Sequence, residues 1–144
     1  MIKIINFLNR NILILFILIT PNYNSAKEIL IYADSISYDE DENIIARGNA
    51  KIFQTNKLIL SDIIIYNKKD DKIILPSKFN FKDQNNNFFQ GENGIFENNL
   101  NSGEFDNPKI RLNDGSRIIG KKIKRDGDID IITKGVYSPC VSRI

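Results

Sequence analysis

Acidic residues are the first candidates for chemistry, because two runs space them as ligands of a hard cation would be spaced. Asp39, Asp41 and Asn43 imitate the start of a calcium loop, as do Asp126, Asp128 and Asp130. Each run then departs from the pattern. Such a loop needs glycine at its sixth position for the sharp turn and a bidentate glutamate at its twelfth. Ile44 and Ala50 stand there in the first run, and Ile131 and Tyr137 in the second. The chain has no histidine, which removes imidazole acid–base chemistry and histidine-containing zinc sites. Its one cysteine, Cys140, follows Pro139 with no candidate activating base, and neither a nucleophile elbow nor a phosphate loop occurs. These residues predict no enzyme, no metal and no cofactor. The one basic cluster is Lys121, Lys122, Lys124 and Arg125. It could meet phosphorylated sugars, but a solvated strand edge that resists aggregation is the favoured reading.

The N-terminus carries the outline of an export signal. Lys3 and Arg10 precede an apolar run from 12 to 19, and a polar stretch leads to Ala26. Eight apolar residues are too few to span a bilayer as helix, which takes about 20. Residues 1–26 are therefore expected to be a signal peptide and the remainder an exported domain. What remains, 118 residues, carries 18 Lys plus Arg against 18 Asp plus Glu. A neutral chain of mixed signs has no electrostatic footprint for nucleic acid. It is long enough for one domain, with no disulfide inside this sequence.

The elements that must hold any site are strands. Residues 29–39, ILIYADSISYD, and 57–67, KLILSDIIIYN, repeat an apolar stretch, a small residue, aspartate, an apolar middle and tyrosine. Asp34 and Asp62 mark the repeat, 28 residues apart. Between them Ile44, Ala46, Gly48, Ala50 and Ile52 share one parity, as on a half-buried strand. Ile73, Leu75, Phe79 and Phe81 share another face, and strand-length runs follow around Phe88, 105–112, 117–124 and 129–133. Turn residues separate these runs at 39–43, 67–71, 83–87, 98–103, 113–115 and 126–128. About eight strands with regular turns and no helical stripe predict an all-β fold: an antiparallel sandwich, a jellyroll or a solenoid of stacked strands. A stack leaves free strand edges at both ends, which invite addition of a similar partner.

The segment ADSISYDEDENIIARGNAKIF followed by LSDIIIYN resembles the repeat of the OstA-like domains of lipopolysaccharide-transport proteins. Ala33, Asp34, Tyr38, Gly48, Asn49, Ala50, Asp62 and Tyr66 carry the likeness. GVYSPC, residues 135–140, resembles the point where the N-terminal periplasmic domain of the LptD (organic solvent tolerance) family runs toward its membrane barrel. The resemblance implies an antiparallel β-jellyroll, or β-taco, over residues 27–140, with 141–144 a tail or the start of a barrel region. It also implies lipopolysaccharide transport and assembly at the outer membrane. The partners implied are lipopolysaccharide, similar OstA-like modules joined by edge strands, and, in a longer protein, the outer-membrane barrel and its lipoprotein plug. In that family cysteines of the soluble domain pair with cysteines of the barrel, so Cys140 is a possible disulfide residue of a longer protein.

Exposing an acyl chain of about a dozen methylenes costs on the order of 10 kcal/mol. A carrier must therefore offer an apolar groove. Candidates for its lining are Ile36, Ile44, Ile52, Leu60 and Ile64 in the repeat region, then Phe79, Phe81, Ile95 and Phe105, then Ile110, Leu112, Ile118, Ile129 and Ile131. Each is equally suited to an ordinary core. Asp34 and Asp62 are expected to bond nearby turn donors more readily than lipid head groups, Gly48 and Asn49 to form a bulge, and Tyr38 and Tyr66 to be half-buried strand residues. Competing readings are a periplasmic bridge component resembling LptA or LptC, a structural or adhesive β-solenoid with a filled interior, and a parallel β-helix lyase.

Overall fold

A computed structural model describes residues 28–139, all strand and turn. The expected signal peptide, Cys140 and the tail 141–144 lie outside the described residues. Eleven strands follow one another: β1 (Ile29–Tyr32), β2 (Ser35–Tyr38), β3 (Ile44–Gln54), β4 (Lys57–Asn67), β5 (Lys72–Lys82), β6 (Phe88–Glu97), β7 (Ser102–Arg111), β8 (Arg117–Ile119), β9 (Lys122–Asp126), β10 (Ile129–Thr133) and β11 (Val136–Ser138). All pairings are antiparallel, so the fold class read from the sequence holds.

The five long strands β3 to β7 are neighbours in sequence order, and each is interrupted near its middle. Pairing slips between Arg47 and Ala50 on β3, between Ser61 and Ile65 on β4, between Leu75 and Lys78 on β5, and on both sides of Glu92 on β6. These slips align into a crease, because a bulge bends its strand and five bends in register fold the whole sheet. The first leaf holds residues 50–54, 57–61, 78–82, 88–91 and 109–111. The second holds 44–47, 63–67, 72–75, 94–97 and 102–106. At one end β1 continues the first leaf and β2 the second, both pairing with β3. At the other end β8 and β11 extend the first leaf, while β9 and β10 extend the second.

Sequence chemistry explains the crease. Small or polar pairs interrupt apolar runs at Gly48–Asn49, Ser61–Asp62, Pro76–Ser77, Asn93–Gly94 and Asn107–Pro108. Gly48, Asn49, Asn93 and Asn107 take positive φ there, at 74°, 48°, 52° and 50°. Glycine and asparagine tolerate that conformation best. The expected bulge at Gly48 and Asn49 is therefore present. The two sequence repeats also coincide as rungs: the first is split into β1 and β2 at Ala33–Asp34, the second is bent at Ser61–Asp62. Both aspartates mark the crease.

The turns follow the predicted punctuation and two share one device. Asp39 accepts hydrogen bonds from the backbone N–H of Asp41 and Asn43, at 3.0 and 2.9 Å, and from Asn43 Nδ2 at 2.8 Å. Asp83 repeats this with Asn85, Asn87 and Asn87 Nδ2 at 2.8, 2.9 and 2.9 Å. The sequence signature is aspartate followed four residues later by asparagine, an Asx turn with an added side-chain bond. One predicted strand, 117–124, is divided into β8 and β9 at Gly120–Lys121, where the chain crosses the crease.

A candidate lipid-binding interior and its closure

Apolar side chains from both leaves meet between them. Ala46, Ala50, Ile52, Ile59, Ile64, Ile73 and Leu75 are buried, with Phe79, Phe81, Phe89, Phe96, Leu100, Phe105, Ile110 and Ile123. Aromatic rings occupy the centre. Phe79 on the first leaf stands edge-on to Phe96 and Phe105 on the second, with centroids 5.7 and 5.1 Å apart. Phe81 lies 5.4 Å from Phe89 and 5.3 Å from Phe96. Gly91 makes room for this cluster, since a Cβ there would run into the Phe105 ring.

Of the residues predicted to line a groove, Ile52, Ile64, Phe79, Phe81, Phe105 and Ile110 are buried in this interior. Leu112 and Ile118 pack against it, and Ile44 is half-buried. Five do not join them. Leu60 and Ile95 point out of the fold, because inward parity changes across the crease. On β4 the inward residues are Ile64 beyond the crease but Ile59 before it. On β6 they are Phe89 and then Phe96. One extra residue in a bulge moves every later side chain to the other face. Ile129 and Ile131 pair with Asp126 and Lys124 on the outward face of β10, and are 66% and 63% exposed. Ile36 pairs with buried Ala46 and so faces inward, yet it is exposed because among the described residues no strand lies beyond β2. Ile59, Phe89 and Phe96 were not among the predicted lining, and the interrupting polar pairs are the signal that identifies them.

The margin opposite the crease is closed by polar contacts between leaves. Gln54, at the tip of β3, donates from Nε2 to Asn99 Oδ1 at 2.6 Å, and its buried Oε1 has no partner among the described residues. Lys57 donates from Nζ to the carbonyl oxygens of Asn99 and Leu100, at 3.1 and 3.3 Å, and to Asn101 Oδ1. Both reach the β6–β7 turn of the second leaf, where Asn98, Asn99 and Leu100 take consecutive positive φ values of 50°, 55° and 60°. Left-handed backbone is costly for leucine, and the buried Leu100 side chain with the Lys57 bonds holds it there. Asp71 Oδ2 also accepts from Asn99 N at 3.2 Å. Tyr66, half-buried, donates to Asp71 Oδ1 at 3.3 Å, and burial followed by this neighbouring carboxylate raises its pKa.

A second closure is made by Arg125. The basic cluster was read as a solvated edge, which fits the exposed Lys121, Lys122 and Lys124. Arg125 departs from that expectation: the alternation of β9 turns it inward with Ile123, and it is buried. Its guanidinium grips Asp130 through Nε and Nη2 at 2.7 and 2.8 Å, lies 3.9 Å from Asp83 and stacks on the Phe89 ring at 4.4 Å.

At the crease Asp34 Oδ2 accepts from Asn49 Nδ2 at 2.8 Å, while Asp62 is exposed. Tyr38 is 71% exposed on the edge strand and is not the half-buried residue expected. Among the described residues no three His, Cys, Asp or Glu side chains gather to hold a metal ion. The Asp39 run is a turn cap instead, and its Asn43 hydrogen bonds hold the Asp39 pKa below the ordinary carboxylate value.

A single antiparallel sheet folded on itself around an apolar interior is an all-β jellyroll. The chain is similar to the crystal structure of LptH from Pseudomonas aeruginosa, described as the LptA homologous periplasmic component of the conserved lipopolysaccharide transport device. The TM-score is 0.63 at 17% identity, covering 74% of this chain and 82% of that one, which makes the likeness one of fold. No protein-family model matches the chain, and no curated protein matches it.

Proposed function

We propose that this chain is a periplasmic, non-enzymatic carrier module for lipopolysaccharide, holding acyl chains between its two leaves and stacking end to end with similar modules. The observation that carries this is the folded sheet itself: a continuous apolar interior between two leaves whose end strands, β1 and β2 at one end and β10 and β11 at the other, are each paired on one side only among the described residues. At one end Ile36 and Tyr38 face inward, and among the described residues no strand lies beyond them. At the other, Tyr137 pairs with Ile118 on the inward side and is 59% exposed. A further rung from another module would cover these residues and satisfy the edge backbone groups. The likeness to LptH, itself a lipopolysaccharide-transport component, supports the same reading.

The filled interior sets the mechanism. Acyl chains gain a place only where the Phe79–Phe96–Phe105 cluster rearranges and the leaves part along the margin held by Lys57, Gln54 and Arg125. Lipid then replaces ring contacts with chain contacts of similar area, so neither state is much favoured. A conduit requires that balance, because a rung that binds too tightly stops transit.

Two placements within transport are supported by different observations. The likeness in fold to LptH, described as an LptA homologue, fits a bridge component like LptA or LptC equally well. The GVYSPC segment favours the periplasmic domain of an LptD-like assembly protein, partnered by a barrel and its lipoprotein plug, with Cys140 in a disulfide. The intact mass of the native polypeptide separates them: a chain extended by barrel strands supports the second, and a product of this length supports the first. For carriage itself, the purified protein should bind lipopolysaccharide saturably and release it on addition of excess unlabelled lipid. Absence of saturable binding contradicts the proposal.

A further inference from the structure

The outward side of the first leaf departs from the rest of the surface. Register places Leu58, Lys82, Phe88, Arg111 and Arg117 side by side in one row across β4 to β8. The next row reads Lys51, Leu60, Asn80, Gln90, Lys109 and Ile119 across β3 to β8. Neither row contains an aspartate or glutamate, although acidic and basic residues are nearly balanced in the chain. The leaf is hollowed here. A depression of about 640 Å3 lies between these two rows, lined by Leu58, Leu60, Phe88 and Ile119 with Lys82, Lys109, Arg111 and Arg117, and reaching Phe81, Phe89, Ile110 and Ile118 of the row between them. Phe88 is 41% exposed and Ile119 53%. Arg111 and Lys82 sit over the Phe88 ring at 4.8 and 5.5 Å, and among the described residues none of the four cations is in an ion pair.

We infer that this outer trough is a second lipid site, taking one acyl chain that carries a phosphorylated head group. An apolar floor of this volume suits a chain, since ligand sites commonly enclose about 300–1,000 Å3. Two arginines and two lysines without carboxylates complement a phosphate, which arginine binds through paired N–H donors. The hollow is concave, so it fits a single chain and not a flat bilayer surface. The inference does not rest on carriage between the leaves, because the side chains that would hold the chain and its head group lie on the two outward rows.

Methyl-labelled protein distinguishes the two faces. Dodecyl phosphate, kept below its micelle concentration, is expected to shift the Leu58, Leu60 and Ile119 methyls saturably while Ile59, Ile64 and Leu75 stay unmoved. Dodecylphosphocholine, with the same chain and no net charge, should bind at least tenfold more weakly, and inorganic phosphate should give no saturable shift. Lys82→Gln, at a half-buried position, and Arg111→Gln, at an exposed one, should together weaken dodecyl phosphate at least tenfold with an unchanged melting temperature. Equal binding of dodecylphosphocholine overturns the inference. So does the same pattern with inorganic phosphate, or shifts confined to the inner methyls. Because the head-group comparison uses the unsubstituted protein, it decides the matter even if the double variant fails to fold.

Discussion

Arg125 on β9 lays its guanidinium 4.4 Å from the centroid of Phe89 on β6, joining the two leaves opposite the crease. The same group is bonded to Asp130 and lies near Asp83, whose side chain is 8% exposed. Removing a buried cation leaves carboxylates without their partner, which typically costs about 3 kcal/mol. Arg125→Ala is therefore expected to lower unfolding free energy by about that amount in urea titrations. Arg125→Lys, which keeps the charge without the planar stack, should lose less. If carriage needs the leaves to part, both variants should also load lipid faster, measured by stopped-flow fluorescence.

Gly48 is the second test of the fold. Its φ is +74°, and a Cβ there would lie 2.6 Å from Asp34 Oδ2. Gly48→Ala is expected to cost about 1–3 kcal/mol from left-handed strain and the clash together. Asp34→Ala in the same chain removes the 2.6 Å carboxylate contact but keeps the 3.1 Å contact with its Cβ and the backbone strain, so the double variant should recover part of the loss. A double-mutant cycle with no coupling would mean that the Asp34 carboxylate does not crowd position 48.

Acid should loosen the turns before the core. Hydrogen bonds from Asn43 hold the Asp39 pKa below the ordinary value, and bonds from Ser116 do the same at Asp114. A depressed folded pKa gives stability that is present above the unfolded value and lost as pH falls through the folded one. Asp39→Ala should therefore be less stable than the parent at neutral pH, with the difference shrinking as pH drops below the aspartate range. Urea midpoints measured across that window check this. A difference independent of pH would place its origin outside the carboxylate.

End-to-end stacking depends on the inward residues of the terminal rungs. Ile36→Lys and Tyr137→Lys put a charge where a neighbouring module would pack, at positions already exposed in the single chain. Neither should change the melting temperature by more than a few degrees, since exposed substitutions usually cost under about 0.5 kcal/mol. Sedimentation should show concentration-dependent association for the parent and its loss in either variant.

The strands, their turns and the antiparallel fold were legible because alternation and Asn/Asp/Gly punctuation are local signals. Asp39 and Asp83 carry their turns on their own side chains, so sequence sufficed. The interior was legible only up to the crease. Leu60 and Ile95 were expected inside because alternation was carried through Ser61–Asp62 and Asn93–Gly94, where one unpaired residue exchanges the faces. β3 and β5 keep their parity, and there the expectation for Ile52, Phe79 and Phe81 held. Ile129, Ile131 and Tyr38 were placed by hydrophobicity alone, yet their exposure is decided by which strands have neighbours. Arg125 was grouped with adjacent lysines, although alternation on β9 sends it inward. The closing margin was invisible, because Gln54, Lys57 and Asn99 meet only once the sheet has folded.

The most direct test of carriage is photo-crosslinking in cells, with benzoylphenylalanine replacing Phe81 or Phe105 between the leaves and, as control, Ile95 on the outward side of the second leaf. The account predicts lipopolysaccharide adducts from positions 81 and 105 and none from 95. Adducts to protein alone at both inward positions, or equal lipid capture at position 95, would contradict it.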